Sequence, residues 1–275
     1  MRTRFAPAPT GWLHLGHVLN AEYVWSGALK VLLRIEDHDR ERCRPEYEAG
    51  ILEDLDWLGY RADFPLVRQS ERDAIYRDAV AELARQGLMY ACDCSRADIE
   101  ARGPMARRFA SVDPQSSILA PSELGYDGHC RDRGVPLADG VGWRVRMDPG
   151  FETFVDLYLG QRQDQDPQEQ CGDVLVRDRL GNWTYQFACA VDDYRQGIEL
   201  VIRGQDLLAS TGRQMRIARL LGRTHPPAFL HHPLVMKSAT QKLSKSDGDT
   251  GVRDFRAAGW SPLEVKAAAK RRLAP

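Results

Sequence analysis

No apolar stretch in this sequence of 275 residues approaches the ~20 needed to span a bilayer. An excess of either charge is missing as well: 38 lysines and arginines face 39 aspartates and glutamates, for a formal net charge of −1. A strongly basic, nucleic-acid-coating surface is therefore excluded, and any RNA contact must come from a local patch. The start, Met1-Arg2-Thr3-Arg4-Phe5, lacks the apolar run of a secretory signal, so the expected setting is the cytoplasm with no membrane partner. Cysteine is scarce, at six residues, and in a reducing compartment these are not a disulfide framework. Internal repeats and low-complexity tracts are also lacking. The rest is ordinary for a globular protein, with 43% hydrophobic and 28% charged residues. The length can bury a substantial core in one large domain or two small ones.

The order of elements points to an α/β fold. Thr3 to Ala6 reads as a strand, Pro7-Ala8-Pro9-Thr10-Gly11 as a turn, and Gly16 to Gly27 as a helix. Val31-Leu32-Leu33-Arg34-Ile35 suits a buried parallel strand, completing a βαβ unit whose first turn lies where open α/β sheets bind ligands. Pro45 opens a helix ending before Gly59, and Ser70-Glu71-Arg72-Asp73 reads as a helix start with Gly87 as its stop. From Tyr90 to about Gly142 apolar periodicity fades, which marks an insertion and not a piece of the sheet. Alternation returns at Trp143 to Met147, Val174 to Val176 and Trp183-Thr184-Tyr185. Ile198 to Arg203 reads as a strand and Leu207 to Leu221 as a helix. Ser261-Pro262-Leu263-Glu264 combines an N-cap serine, proline at the first position and Glu at the third. The expected domains are 1–235 (catalytic), 90–142 (inserted module) and 236–275 (lysine-serine loop and helical C-terminal segment).

Two motifs carry chemistry. His14-Leu15-Gly16-His17 stands at a helix N-terminus, where main-chain N–H groups and the helix dipole favour an anion. Lys242-Leu243-Ser244-Lys245-Ser246 adds point charges on flexible stems and hydroxyl donors. Alone, the histidines suit a polar surface turn; the second motif makes an ATP-handling pair. Neither supplies a nucleophile, so catalysis is positioning of a carboxylate against the α-phosphate with neutralisation of developing charge. The product is an acyl-adenylate plus pyrophosphate, with Mg²⁺ bridging the phosphates.

With both motifs, the blocks Arg4-Phe5-Ala6-Pro7, Arg34-Ile35-Glu36-Asp37, Val191-Asp192-Asp193 and Arg203-Gly204-Gln205-Asp206 stand in the order of one family. The chain resembles class I aminoacyl-tRNA synthetases of the glutamyl/glutaminyl group. That resemblance implies a Rossmann-like catalytic domain with catalytic His14, His17, Lys242 and Lys245, and ATP contacts at Gly16, Ser244 and Ser246. It implies L-glutamate bound by Arg4, Phe5, Ala6, Pro7, Ala8, Glu36, Tyr185 and Arg203. In this reading Arg4 and Arg203 face its carboxylates, Glu36 holds its ammonium group and Tyr185 donates a hydrogen bond. Arg34 and Asp37 suit an ion-pair network equally well. Ala8 stands where the group has serine, and Cys189 where it has a polar amide, so the expected pocket is less polar and binds glutamate less tightly.

Cys92-Asp93-Cys94 and Tyr126-Asp127-Gly128-His129-Cys130 lie in the insertion. Thiolates two residues apart chelate one ion, a closed zinc site needs four ligands, and reduced buried cysteines are the alternative. Related short synthetases carry Cys-X-Cys with Tyr-X-X-X-Cys, which implies one structural Zn²⁺ on Cys92, Cys94, Tyr126 and Cys130, with His129 the competing ligand. The sequence ends at Pro275, soon after Lys245, without the helical anticodon-binding domain of the full-length enzymes. It thus resembles a stand-alone paralog of the group that activates glutamate without tRNA and transfers it to the queuosine base of tRNA(Asp); a monomer is the expected state. A truncated enzyme charging the 3′ end of tRNA(Glu), or a silent RNA-binding paralog, are the rivals. Arg102, Arg107, Arg108, Arg131 and Arg133, or Lys270-Arg271-Arg272, are candidate RNA patches or plain solvated faces.

Overall fold

The computed structural model describes residues 1–102, 125–235 and 250–271. The chain begins with β1 (Arg2–Phe5), α1 (Leu15–Val24) and β2 (Lys30–Ile35), followed by α2 (Pro45–Leu58) and β3 (Val67–Arg68). β1 pairs in parallel with β2, and β2 with β3. Further on come α3 (Asp73–Arg85), β4 (Met89–Cys92), α4 (Arg96–Ala101), β5 (Gly142–Val145), β6 (Glu152–Asp156), β7 (Gln161–Gln165), α5 (Pro167–Cys171) and β8 (Val174–Arg177). The last part holds α6 (Tyr185–Arg195), β9 (Leu200–Gly204), α7 (Thr211–Leu220), β10 (Ala228–His232), α8 (Val252–Ala257) and α9 (Pro262–Arg271).

β10 pairs in parallel with both β9 and β6, and β7 closes that sheet as an antiparallel edge. The two parallel sheets meet edge to edge, where Glu199 N–H donates to Arg2 O at 2.9 Å and the Arg4 guanidinium to Ile202 O at 3.0 Å. Strand order therefore reverses between β1 and β9, the place where doubly wound sheets open a crevice. Phe5, Leu15, Leu19, Ile35, Ile51 and Ile202 fill one core between these strands and helices α1, α2 and α9. At roughly 25 cal/mol per Å² of apolar surface removed from water, this burial is the main force holding the cleft walls.

The insertion begins and ends on neighbouring strands. β4 pairs antiparallel with β5, and β5 with β8, in a second sheet. Its edges are thus sheet, contrary to the sequence expectation, while the parallel sheet runs on without it. Several other local readings change for stated reasons. Ser70 caps no helix: its hydroxyl and N–H both go to Asp37, at 2.5 and 2.8 Å, within a 3₁₀ turn (Gln69–Glu71). Tyr185 opens α6 instead of ending a strand, and Leu207 lies in a 3₁₀ turn (Gln205–Ser210) before α7. The helix start at Ser261 holds: Glu264 accepts from the Ser261 N–H and hydroxyl at 2.8 and 2.7 Å.

Candidate functional site

A cleft of about 500 Å³ opens at the carboxyl ends of β1, β2, β9 and β10. Its walls include Arg4, Phe5, Ala6, Pro7, Ala8, His14, Gly16, His17, Glu36, Tyr185 and Arg203, so the separate sequence blocks converge on one cavity. Lys242, Ser244, Lys245 and Ser246 lie outside the described residues. Their flanks do not: Val235 lines the cleft, and Gly251 forms an antiparallel bridge with His14. Val252 N–H reinforces that bridge by donating to Leu13 O at 2.7 Å.

His14 is the N-cap of α1. Its Nδ1 accepts from Gly16 N–H at 3.0 Å, and His17 Nδ1 accepts from His14 N–H at 3.1 Å. The histidines thus cap the helix reciprocally, as Ser and Glu do in a capping box. A Cβ at Gly16 would stand 2.8 Å from His14 Cε1, so this inward-turned ring itself requires glycine.

The charged wall rests on buried ion pairs. Arg34, wholly buried, donates to Asp193 at 2.8 Å and to Glu36 at 3.0 Å. Arg4 Nε–H donates to Asp193 at 3.2 Å and Nη1 to Ile202 O, leaving Nη2 uncommitted among the described residues. Burial works against the Asp193 carboxylate, but Arg4 and Arg34 outweigh it and hold its pKa at about 2. Arg34 and Asp37 are accordingly structural: the first anchors Glu36, the second the turn at Ser70. Burial raises the Tyr185 phenol and keeps it a hydrogen-bond donor.

Arg203 is held by residues that carried no signal in the sequence. Its Nε–H donates to His231 Nε2 at 3.1 Å, Nη1 to Gln214 at 2.6 Å and Nη2 to Thr211 at 2.8 Å. His231 in turn donates Nδ1–H to Asp156 at 2.6 Å. Burial first, and Arg203 second, push the His231 pKa down and keep it a neutral acceptor. His38 at the end of β2 also lines the cleft, beside Asp39 and Arg42. Cys189 is a correction: it is absent from the cleft wall and lies behind it, 3.6 Å from both Arg34 and Asp193, with burial pushing its thiol up to about 12. It does not make the cleft surface less polar.

In the inserted module the sulfurs of Cys92, Cys94 and Cys130 lie within 4.8 Å of one another. The Tyr126 hydroxyl sits 3.3 Å from Cys92 Sγ and 3.9 Å from Cys94 Sγ. Tyr126 is fixed from two sides. Its backbone lies against Gly172, where a Cβ would come within 1.8 Å of Tyr126 O, and the Arg144 guanidinium stacks 3.6 Å from its ring centroid. Burial opposes the Cys92 thiolate, but hydrogen bonds from Tyr126 and Arg144 bring its pKa below the usual thiol range. Three sulfurs and one oxygen at this spacing suit a tetrahedral ion of the zinc type. His129 is exposed and offers nothing to the cluster. Arg102, Arg131 and Arg133 pair with Asp127, Asp173 and Asp93, so the described part of that basic patch is internally neutralised.

The model of the tRNA synthetases class I (E and Q), catalytic domain, matches residues 1–273. A protein of Rhodobacter capsulatus named glutamyl-Q tRNA(Asp) synthetase is 38% identical over 282 residues, spanning 97% of this chain and 98% of that protein. A protein of the same name from Bordetella bronchiseptica is 42% identical, across 89% of this chain and 75% of its own length. Glutamate–tRNA ligase 1 of Acidithiobacillus ferrooxidans is 37% identical, and the chain spans about half, 54%, of it. Among solved structures, a glutamate tRNA ligase from Elizabethkingia meningosepticum in complex with its amino acid superposes with a TM-score of 0.71. It is 27% identical, and the match covers 90% of this chain and 52% of that one.

Proposed function

We infer the reaction from one premise: the chain belongs to the family of class I tRNA synthetases (E and Q), whose catalytic domain it carries, and it is an enzyme of that ligase type. The reading is ATP-dependent activation of L-glutamate to glutamyl-adenylate without tRNA, followed by transfer of the glutamyl group to the queuosine base in the anticodon of tRNA(Asp). The observation that carries the first half is the convergence of Arg4, Glu36, Tyr185 and Arg203 with the α1 N-terminus in one cleft.

In this reading Arg4 Nη2 and Arg203 hold the substrate carboxylates, Glu36 its ammonium group, and Tyr185 donates to it. The block from Phe5 to Ala8 supplies backbone at the cleft wall. Gly16 lets the nucleotide approach α1, and Ser244 and Ser246 add hydroxyl donors from the loop. A glutamate carboxylate oxygen attacks the α-phosphorus and the bond to the β-phosphate oxygen breaks. His14, His17, Lys242 and Lys245 neutralise the charge that gathers on the leaving pyrophosphate. Mg²⁺ arrives with the nucleotide as its counter-ion. Cys92, Cys94, Tyr126 and Cys130 would hold a Zn²⁺ whose part is structural.

The acceptor half rests on the relatives named glutamyl-Q tRNA(Asp) synthetase and on the share of them that this chain spans. Two assays test the whole. Pyrophosphate exchange dependent on glutamate alone is expected without tRNA; its absence would remove the enzyme reading. Labelled glutamate is expected on tRNA(Asp) carrying queuosine and not on the unmodified tRNA. Label on the 3′ end of tRNA(Glu) instead would overturn the acceptor.

A further inference from the structure

Four histidines line the cleft: His232 has both ring nitrogens occupied, by Pro233 O and Asn20 Oδ1, and the other three commit Nδ1 in opposite senses. In His14 and His17, Nδ1 accepts a main-chain N–H, so the proton of the neutral ring lies on Nε2 and both rings are donors. His38 is the reverse. Its Nδ1 stands 2.6 Å from Gln69 Oε1. The Gln69 amide cannot be turned round, because its nitrogen donates at 2.8 Å to Asp192, a fully buried carboxylate that also accepts from Arg72 and Tyr76. An amide oxygen has no proton to give, so His38 Nδ1 carries one and neutral His38 keeps a lone pair on Nε2.

We propose that His38 is the general base of the transfer step, accepting the proton of the acceptor hydroxyl. The idea rests on the proposed function and extends it to a residue that no motif covers. The acceptor oxygen attacks the acyl carbon of glutamyl-adenylate and a C–O ester bond forms. The bond between that carbon and the AMP phosphate oxygen breaks, AMP leaves with the electron pair, and the hydroxyl proton passes to His38 Nε2. Adenylate formation has no proton to abstract, because its nucleophile is already a carboxylate, so a lone-pair histidine has work only in the second step. The location agrees. His38 is half-buried at the end of β2, on the cleft wall, with its ring centroid 6.4 Å from that of Tyr185. Tyr185 separates this cleft from a second groove of about 570 Å³ that runs toward Cys92 and Cys94. Of the charged groups around His38, Asp39 pairs with Arg42, Asp192 pairs with Arg72 behind Gln69, and Asp37 accepts from Ser70.

The test is His38→Asn in the full chain, since the asparagine amide can keep the bond to Gln69 while removing Nε2. Single-turnover transfer from preformed adenylate to tRNA(Asp) carrying queuosine is measured against pyrophosphate exchange by the same preparation. The expected result is a fall of about 10²-fold or more in the ratio of transfer to exchange. In the wild type, transfer is expected to rise with pH through one ionisation, and that rise is expected to vanish in the variant. A ratio within a few-fold of wild type, or a wild-type transfer rate flat across that ionisation, would overturn the proposal. If label goes to a tRNA ribose hydroxyl instead, the same ratio is read there, so an error in the acceptor and an error in His38 remain separate. A wild type without exchange would overturn both readings together.

Discussion

The cleft and the thiol module both bury polar groups, but on apolar supports of very different size. Behind the cleft, Arg34, Asp192 and Asp193 are held by each other and by the apolar core of α1, α2 and the parallel strands. In the module the corresponding core is small: Tyr90, Cys92, Ile99, Tyr126 and Cys130. Two of those five are the proposed ion's thiols and a third is its phenol. The first region has packing and ion pairing to order it; in the proposed reading the second depends on chelation. The proposed catalytic residues sit in the first, and the proposed ion would lend rigidity to the second.

The comparison breaks first at Arg34. Arg34→Met leaves Glu36, Asp192 and Asp193 short of their buried partner, and a loss of about 3–5 kcal/mol is expected in urea unfolding, with metal content unchanged. Stability within 1 kcal/mol of wild type, on that same order-of-magnitude scale, would mean the pairs are not what holds the wall. Next in size is removal of the metal. Chelation, or Cys92→Ser, is expected to release zinc and open residues 89–142 to protease while β1, β2, β9 and β10 stay protected. A wild type that contains no metal by elemental analysis removes the contrast. The smallest effect sharpens it. Asp54 in α2 is buried with no hydrogen bond to either carboxylate oxygen, and burial raises its pKa to about 6. A raised carboxyl stabilises the fold below its unfolded pKa and loses that contribution as pH rises through about 6. Asp54→Asn is therefore expected to gain on the order of 2 kcal/mol at pH 8 and nothing at pH 4. An equal gain at both values would show that charge is not the cause.

What was legible in the sequence was whatever is local. Pro45 with Gly59, and Ser261 with Glu264, mark helices α2 and α9 because caps act within one turn. The blocks around Arg4, Glu36 and Arg203 likewise pointed to cleft residues, since each sits at a strand end, whereas Val191-Asp192-Asp193 lies within α6 and supports the wall from behind. β7 was missed because Gln161-Arg162-Gln163-Asp164-Gln165 is an exposed edge strand with no apolar alternation to betray it. Ser70 was misread because Asp37, far off in sequence, takes the hydroxyl that a helix would have used. The support of Arg203 by His231 and Asp156, and of His38 by Gln69 and Asp192, left no trace, because partners up to 123 residues apart share no local pattern. Cys189 was placed one layer too far forward for the same reason: spacing along α6 does not tell which wall a turn faces.

The bridge between His14 and Gly251 fixes one end of the segment that carries the lysine-serine motif. Val235 lines the cleft and Gly251 bridges His14 at its rim, so the two ends of the intervening segment are held by the same fold. The entropy of joining those two ends is surrendered once, when the chain folds. Because closure entropy grows only logarithmically, doubling that segment would cost about 0.6 kcal/mol. What the fold fixes is where that segment is tied, at one end beside the cleft wall and at the other to the N-cap of α1.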